Sequence, residues 1–319
     1  MDKEKIKKHW VFYKSAIKDT NLIFATCLLV NFEIWDRYHN NSNSFITIVS
    51  RFLKKKLLFI VEHYQNHIPE VCNDGNNKIW VCWWQGYDNM PDFCKFCFLQ
   101  LKANSPENCE VILITEDNFL QYVRIPDVIL KKKQKGIIPI QQFTDILRQG
   151  LLAQQGGLWM DATIFTISGY YDSITIENDY WSANLGRIVK PFQIGQVISG
   201  CKWSSFIQYG KKGNIVNSFV FDAMCKYYEL YDFTIDYFTQ QHIIRIGYEN
   251  IPAVKQIIDS IPVSNTHLYD LFLVINEPFE QVKWDEMTAD TKIFKLSYKY
   301  KLGGNDTTTF YDYILSFSK

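Results

Sequence analysis

The sequence has no surplus of charge, no apolar run of membrane length and no second copy of its one paired-cysteine motif. Lys and Arg together number 34, as do Asp and Glu, so the formal net charge is zero. Bulk nucleic-acid binding needs a basic surplus and is not expected. The apolar stretch near the start, LIFATCLLV at 22–30, is far short of the ~20 residues a membrane helix requires, and Asn31, Glu33 and Asp36 follow it. No Walker loop and no paired-aspartate phosphatase motif occurs, which argues against a nucleotidyl or phosphoryl transferase. The opening MDKEKIKKHW is charged and no signal-type apolar core follows directly, so a reducing, cytoplasmic setting is expected. Among eight cysteines, Cys94 and Cys97 form a single C-x-x-C. With no second pair to complete a zinc site, both are expected in the core.

What is present is core material. Hydrophobic residues make up 47% and aromatics 16%, enough for a large domain with rings left over for stacking. Residues 1–75 read as a helical N-terminal region. In SFITIVSRFLKKKLLFIVEHY (44–64), Phe45, Val49, Phe52, Leu53, Leu57 and Ile60 recur at helical spacing around Lys54, Lys55 and Lys56. Two readings are open: a solvated lysine patch on a packed helix, or a basic face that docks on an anionic membrane. VCNDGNNK (71–78) reads as a linker.

From 76 to 319 the texture alternates. KIWVCWW (78–84) reads as a buried strand, 91–104 as a helix, EVILITEDN (110–118) as a strand and VIL (128–130) as a third, short one. Residues 140–155 read as a helix with Phe143, Ile146, Leu147, Leu151 and Leu152 on one face, and 157–165 as the next strand. Such alternation implies an α/β domain with a mostly parallel sheet, whose ligands sit at the carboxyl ends of the strands. Further on, 180–185 and 194–203 look strand-like, and 216–232, 233–249 and 253–261 look helical. KIFKLSYKY (292–300) reads as a late strand before a Gly-Gly turn at 303–304.

One carboxylate, Asp161, interrupts the apolar run GGLWMDATIF (156–165). Gly156 and Gly157 let the chain turn out of the preceding helix. Asp161 then either caps a turn or presents a hard oxygen ligand at the sheet edge. On that helix Asp145 and Arg148 are i, i+3 neighbours. They are either a surface ion pair or a carboxylate for ribose hydroxyls beside a guanidinium for phosphate.

FTDILR (143–148), GGLWMDAT (156–163) and IWVCWWQG (79–86) together resemble the capsular polysaccharide synthesis glycosyltransferases. These belong with the GT-A sugar transferases of glycosyltransferase families 32 and 8, which carry SDxxR…GGxYxDxD. The resemblance implies a GT-A, Rossmann-like nucleotide-sugar-binding domain. It implies a UDP-hexose donor, Mn2+ or Mg2+, and retaining transfer to a polyprenyl-diphosphate-linked oligosaccharide at the inner face of a bacterial membrane. It further implies that Asp161 is catalytic and binds the metal. The second carboxylate of the pattern is here Thr163, a weak or water-mediated ligand. Trp83, Trp84 and Gln85 would lie near the nucleotide base, with Asp145, Arg148, Gly157 and Thr163 also on the donor. Lys299 and Lys301 would contact the diphosphate, Lys299 as a catalytic group, and Asp236 would face the transferred sugar or the acceptor. Asn214, with Trp203, Gly210 and Asn217, is a candidate sugar contact. The rival class, kept open by Thr163, is a non-catalytic carbohydrate-binding or scaffold protein.

Overall fold

A computed structural model describes residues 10, 13–28, 42–72, 77–190, 192–299 and 308–318. The linker residues 73–76, the turn at 303–304 and Lys301 lie outside them. The helices used below are α1 (Ser42–Lys56), α2 (Leu58–Asn66), α3 (Asp92–Asn104), α4 (Ile140–Gln154), α5 (Ile215–Leu230) and α6 (Thr239–Asn250). The strands are β1 (Lys78–Cys82), β2 (Glu110–Ile114), β3 (Gly157–Met160), β4 (Ile164–Thr166), β5 (Tyr180–Ser182), β6 (Ile207–Gly210) and β7 (Ile293–Lys295). The chain forms two compact units of three segments each: residues 1–69, 124–151 and 215–255, and residues 70–123, 152–214 and 256–319. Among the described residues no helix is long and apolar enough to cross a membrane.

The first unit is helical. The run 44–64 makes two helices rather than one, because Leu57 (φ −108°, ψ 13°) leaves helical geometry and is fully buried at the elbow. Lys54, Lys55 and Lys56 fall in the last turn of α1, where cations offset the carbonyl end of the helix dipole. Residues 128–130 are not a strand but part of a helix, Asp127–Gln134. Pro126 precedes it, Asp127 opens it and three lysines close it, an arrangement that suits the dipole at both ends. The helix expected over 233–249 begins only at Thr239, whose backbone N–H donates to the Asp236 carbonyl at 3.3 Å.

The second unit holds a five-stranded sheet in the order β2-β1-β3-β6-β5. β1 pairs in parallel with β2 and β3, while β6 runs antiparallel to both β3 and β5. The α/β class expected from the alternation is the one adopted, but the sheet is mixed rather than mostly parallel, because β6 returns antiparallel between β3 and β5. β3 is buried at every position, as a strand covered on both faces should be. The glycine pair makes its close approach possible. Gly157 has φ +102°, and a Cβ there would lie 2.4 Å from the Lys78 carbonyl oxygen. Trp80 Nε1 donates to the Gly156 carbonyl at 2.8 Å, tying the turn to β1.

The run 157–165 is not one strand. After Met160 the Ile164 N–H closes a turn onto the Asp161 carbonyl at 2.9 Å. The chain then leaves the main sheet to pair, as β4, antiparallel with β7. The late strand is likewise shorter than 292–300, spanning only Ile293–Lys295. Residues 194–203 are not strand-like, since Gln193–Ser199 is a helix stopped by Gly200 in the left-handed conformation at φ 58°. Under the β4–β7 ribbon lies an aromatic core: Phe96 stacks on Phe165 at 5.7 Å, with Phe294, Trp284 and Phe310 beside them. Cys94 and Cys97 are buried on α3, in the core as expected.

Candidate functional site

In the second unit, the turn that follows β3 places Asp161 at the carboxyl edge of the sheet. Its backbone N–H donates to the Phe206 carbonyl at 3.0 Å, which fixes the turn against the strand entering β6. Trp159, two positions earlier on the same face, donates its indole N–H to Asp161 Oδ1 at 3.0 Å. Lys295, the last residue of β7, stands opposite Ile164 in the ribbon. Its ammonium hydrogen-bonds Thr163 Oγ1, lies 3.7 Å from Asp161 Oδ2 and sits over the Phe206 ring at 5.5 Å. The same charge reaches α3, where burial pushes the Cys94 thiol up to about 11 and Lys295 pulls the other way. Tyr269 is also close. Burial holds its hydroxyl well above the usual tyrosine range, and the Asp161 charge adds to the shift.

The turn after β1 leaves at this same edge, because β1 and β3 are parallel neighbours in the register Trp80↔Trp159. Trp83 is half-buried there. It donates to the Asn89 carbonyl at 3.1 Å and meets Tyr298 edge-on at 5.8 Å. Gln85 is exposed beside it. Trp84 instead turns into the core against Phe119, with centroids 5.2 Å apart. Lys299 follows Tyr298 and lies over its ring at 5.5 Å. Asp161, Thr163, Trp83 and Lys299 thus belong to one edge or to the segments bordering it. Gly157 and Asn214 do not: Gly157 opens β3 at the opposite edge, and buried Asn214 follows β6, whose Gly210 pairs with Gly157. Trp203 is buried.

The remaining candidates lie in the first unit. Arg148 is 5% exposed and donates through one nitrogen to Asp145 Oδ1 and to Gln240 Oε1, each at 2.7 Å. The pair is thus a buried tie between α4 and α6, not a surface bridge. Asp236 Oδ2 lies 3.0 Å from His242 Nε2, and His242 Nδ1 lies 3.0 Å from Ser50 Oγ. Asn217 donates to Gln149 Oε1 at 2.7 Å.

Sequence reasoning missed Lys295, Trp159, Phe206 and Tyr269. One signal was present: Lys295 is the first lysine after Lys292 in the alternating run KIFKLSYKY, in phase with buried Ile293. Extending the strand to residue 300 drew attention to the later lysines instead.

The resemblance implies Mn2+ or Mg2+ on Asp161 and Thr163, and the donor set does not fit such an ion. One carboxylate oxygen is held by an indole N–H, the threonine hydroxyl is bonded to an ammonium, and the same ammonium faces the other oxygen. A dication bound between these groups would sit a few ångströms from a fixed positive charge, a strongly repulsive arrangement at a partly desolvated edge. Among the described residues no group of three or more His, Cys, Asp or Glu converges to hold a metal.

Residues 31–314 match the family described as capsular polysaccharide synthesis protein, and the chain belongs to that family. No curated protein matches it. The solved structure of the PaToxG glycosyltransferase is similar at 17% identity and a TM-score of 0.39, over 77% of this chain and 95% of that one.

Proposed function

We propose that the protein is a glycosyltransferase of capsular or surface polysaccharide synthesis, using a UDP-hexose donor. The observation that carries this reading is the carboxyl edge of β1 and β3 in a chain of the capsular family. There an aromatic ring (Trp83), a fixed carboxylate (Asp161) and an ammonium (Lys295) are presented where α/β sheets take nucleotide ligands. Trp83 offers its ring to the uracil base, and Lys295 offers charge to the diphosphate.

In the reaction the bond between the anomeric carbon and the β-phosphate oxygen breaks, its electron pair going to the phosphate. The acceptor hydroxyl oxygen bonds to the anomeric carbon on the same face, and its proton passes to the departing phosphate oxygen. Configuration is retained and no separate base is needed. The acceptor is a lipid-linked oligosaccharide met at the inner membrane surface. Support for that location comes from Lys54, Lys55 and Lys56 at the end of α1, next to Leu58 and Phe59, which are 45% and 48% exposed. Cations beside exposed apolar side chains are what an anionic bilayer binds.

The test is a thermal-shift panel of UDP-glucose, UDP-galactose, their N-acetyl forms and GDP-sugars. A ligand at 100 times its Kd adds about 2.7 kcal/mol of stability, so one UDP-hexose is expected to raise Tm clearly and to be hydrolysed or transferred. A shift without turnover favours the binding-protein reading. No shift with any nucleotide sugar overturns the proposal.

A further inference from the structure

We propose that Lys295 is the cation of the donor site and that transfer runs without a divalent metal. The proposal rests on the glycosyltransferase reading above. The resembling pattern pairs two carboxylates with a dication, which sums to zero before the donor arrives. Here the second carboxylate is Thr163 and the cation is a single ammonium. One negative and one positive charge again sum to zero. Threonine at 163 together with lysine at 295 keeps this edge neutral without a dication. A carboxylate at 163 with this lysine would leave excess negative charge facing a diphosphate. A threonine without the lysine would leave nothing to neutralise it.

The placement of Lys295 supports the role. Its backbone N–H is fixed to the Leu268 carbonyl at 2.8 Å, and Ile164 stands opposite it in the ribbon. Its side chain is only 22% exposed, so its reach is defined before substrate binds. An ammonium carries three donors. Thr163 takes one, and Asp161 at 3.7 Å is close enough to orient the charge but too far for a tight hydrogen bond. A phosphate oxygen that approaches this edge meets a preorganised cation. As the anomeric bond breaks, the charge that develops on the β-phosphate is met by Lys295 without a reorganisation step.

The experiment is calorimetric titration of the whole protein with UDP and with uridine, in excess EDTA and in Mn2+, alongside UDP-sugar hydrolysis in both buffers. Wild type is expected to bind UDP and turn over donor equally well in the two. Lys295→Met is expected to weaken UDP by about tenfold or more, the size of one lost charge-assisted contact, while uridine affinity is unchanged. Lys295→Arg keeps most of the affinity, which guards against a methionine variant that fails to fold. The double variant T163D/K295M, with the carboxylate pair restored and the lysine removed, is expected to bind UDP only when Mn2+ is added. Wild-type binding or turnover that disappears in EDTA and returns with Mn2+ overturns the role of Lys295 and leaves the transferase reading intact. So does a methionine variant with wild-type UDP affinity. If UDP binds in neither buffer, the UDP-donor reading itself fails and takes this one with it.

Discussion

Trp159 Nε1 and Asp161 Oδ1 lie 3.0 Å apart, two positions along one strand and its turn, so the carboxylate is aimed by a buried indole from its own segment. This arrangement separates the charge of Asp161 from its structural part. Asp161→Asn keeps an acceptor oxygen for Trp159 and is expected to fold normally. Transfer should fall by about 10²–10³-fold, as for loss of one preorganised electrostatic group. Wild-type rates in a folded Asn variant, judged by turnover and Tm together, would remove Asp161 from the chemistry.

The two adjacent tryptophans are expected to divide. Trp84 is packed on Phe119, and Trp84→Ala should cost about 3–5 kcal/mol of stability as a large core deletion. Trp83 is half-buried at the edge. Trp83→Ala should leave the melt nearly unchanged and weaken UDP by about 1–3 kcal/mol, the range of a lost aromatic–base stack. Denaturant melts and calorimetry on both variants distinguish the roles.

Arg148 and Arg187 make the same kind of contact in opposite surroundings. Arg148→Ala removes a buried guanidinium that bridges Asp145 and Gln240 and should cost about 3–5 kcal/mol. Arg187 is 44% exposed and pairs with Asp270, so its alanine variant should cost about 1 kcal/mol or less. Equal losses in urea melts would contradict the buried tie between α4 and α6.

Tyr64 donates to Asp222 Oδ2 at 2.7 Å, yet burial raises the Asp222 carboxyl above its ordinary value of 3.8. A raised folded-state value means that this residue favours folding most when protonated, below the unfolded value. That contribution is lost as pH rises through the folded value. Asp222→Asn is therefore expected to be more stable than wild type at neutral pH. The gap should close as pH falls below the unfolded value. A gap that widens toward acid would reverse the assignment.

The alternation of strands and helices between residues 78 and 165 was legible because each element carries its own periodicity and its own stop signals. Residues 128–130 and 194–203 were not, since short apolar runs look alike in helices and strands. What decided them was end chemistry: Asp127 with Lys131–Lys133 in one, Gly200 in the other. Asp161 stood out as a lone charge in an apolar run, and the turn it opens was foreshadowed by that oddity. Lys295 had no such mark, because its meaning comes from pairing with a strand far back in the chain. The Asp145–Arg148 spacing predicted a contact correctly but not its burial, which Gln240 and α6 create.

The contact between Lys295 and Thr163 spans 132 positions of sequence. During synthesis the Asp161 turn leaves the ribosome roughly ten seconds before its counter-charge at ordinary elongation rates. Through that interval the aromatic face of Phe165 has no β7 to cover it. Until that segment is made, Asp161 also lacks the Lys295 charge that stands 3.7 Å from it. The ribbon and the proposed donor cation therefore depend on the same late segment, and a chain that stops before residue 293 lacks both.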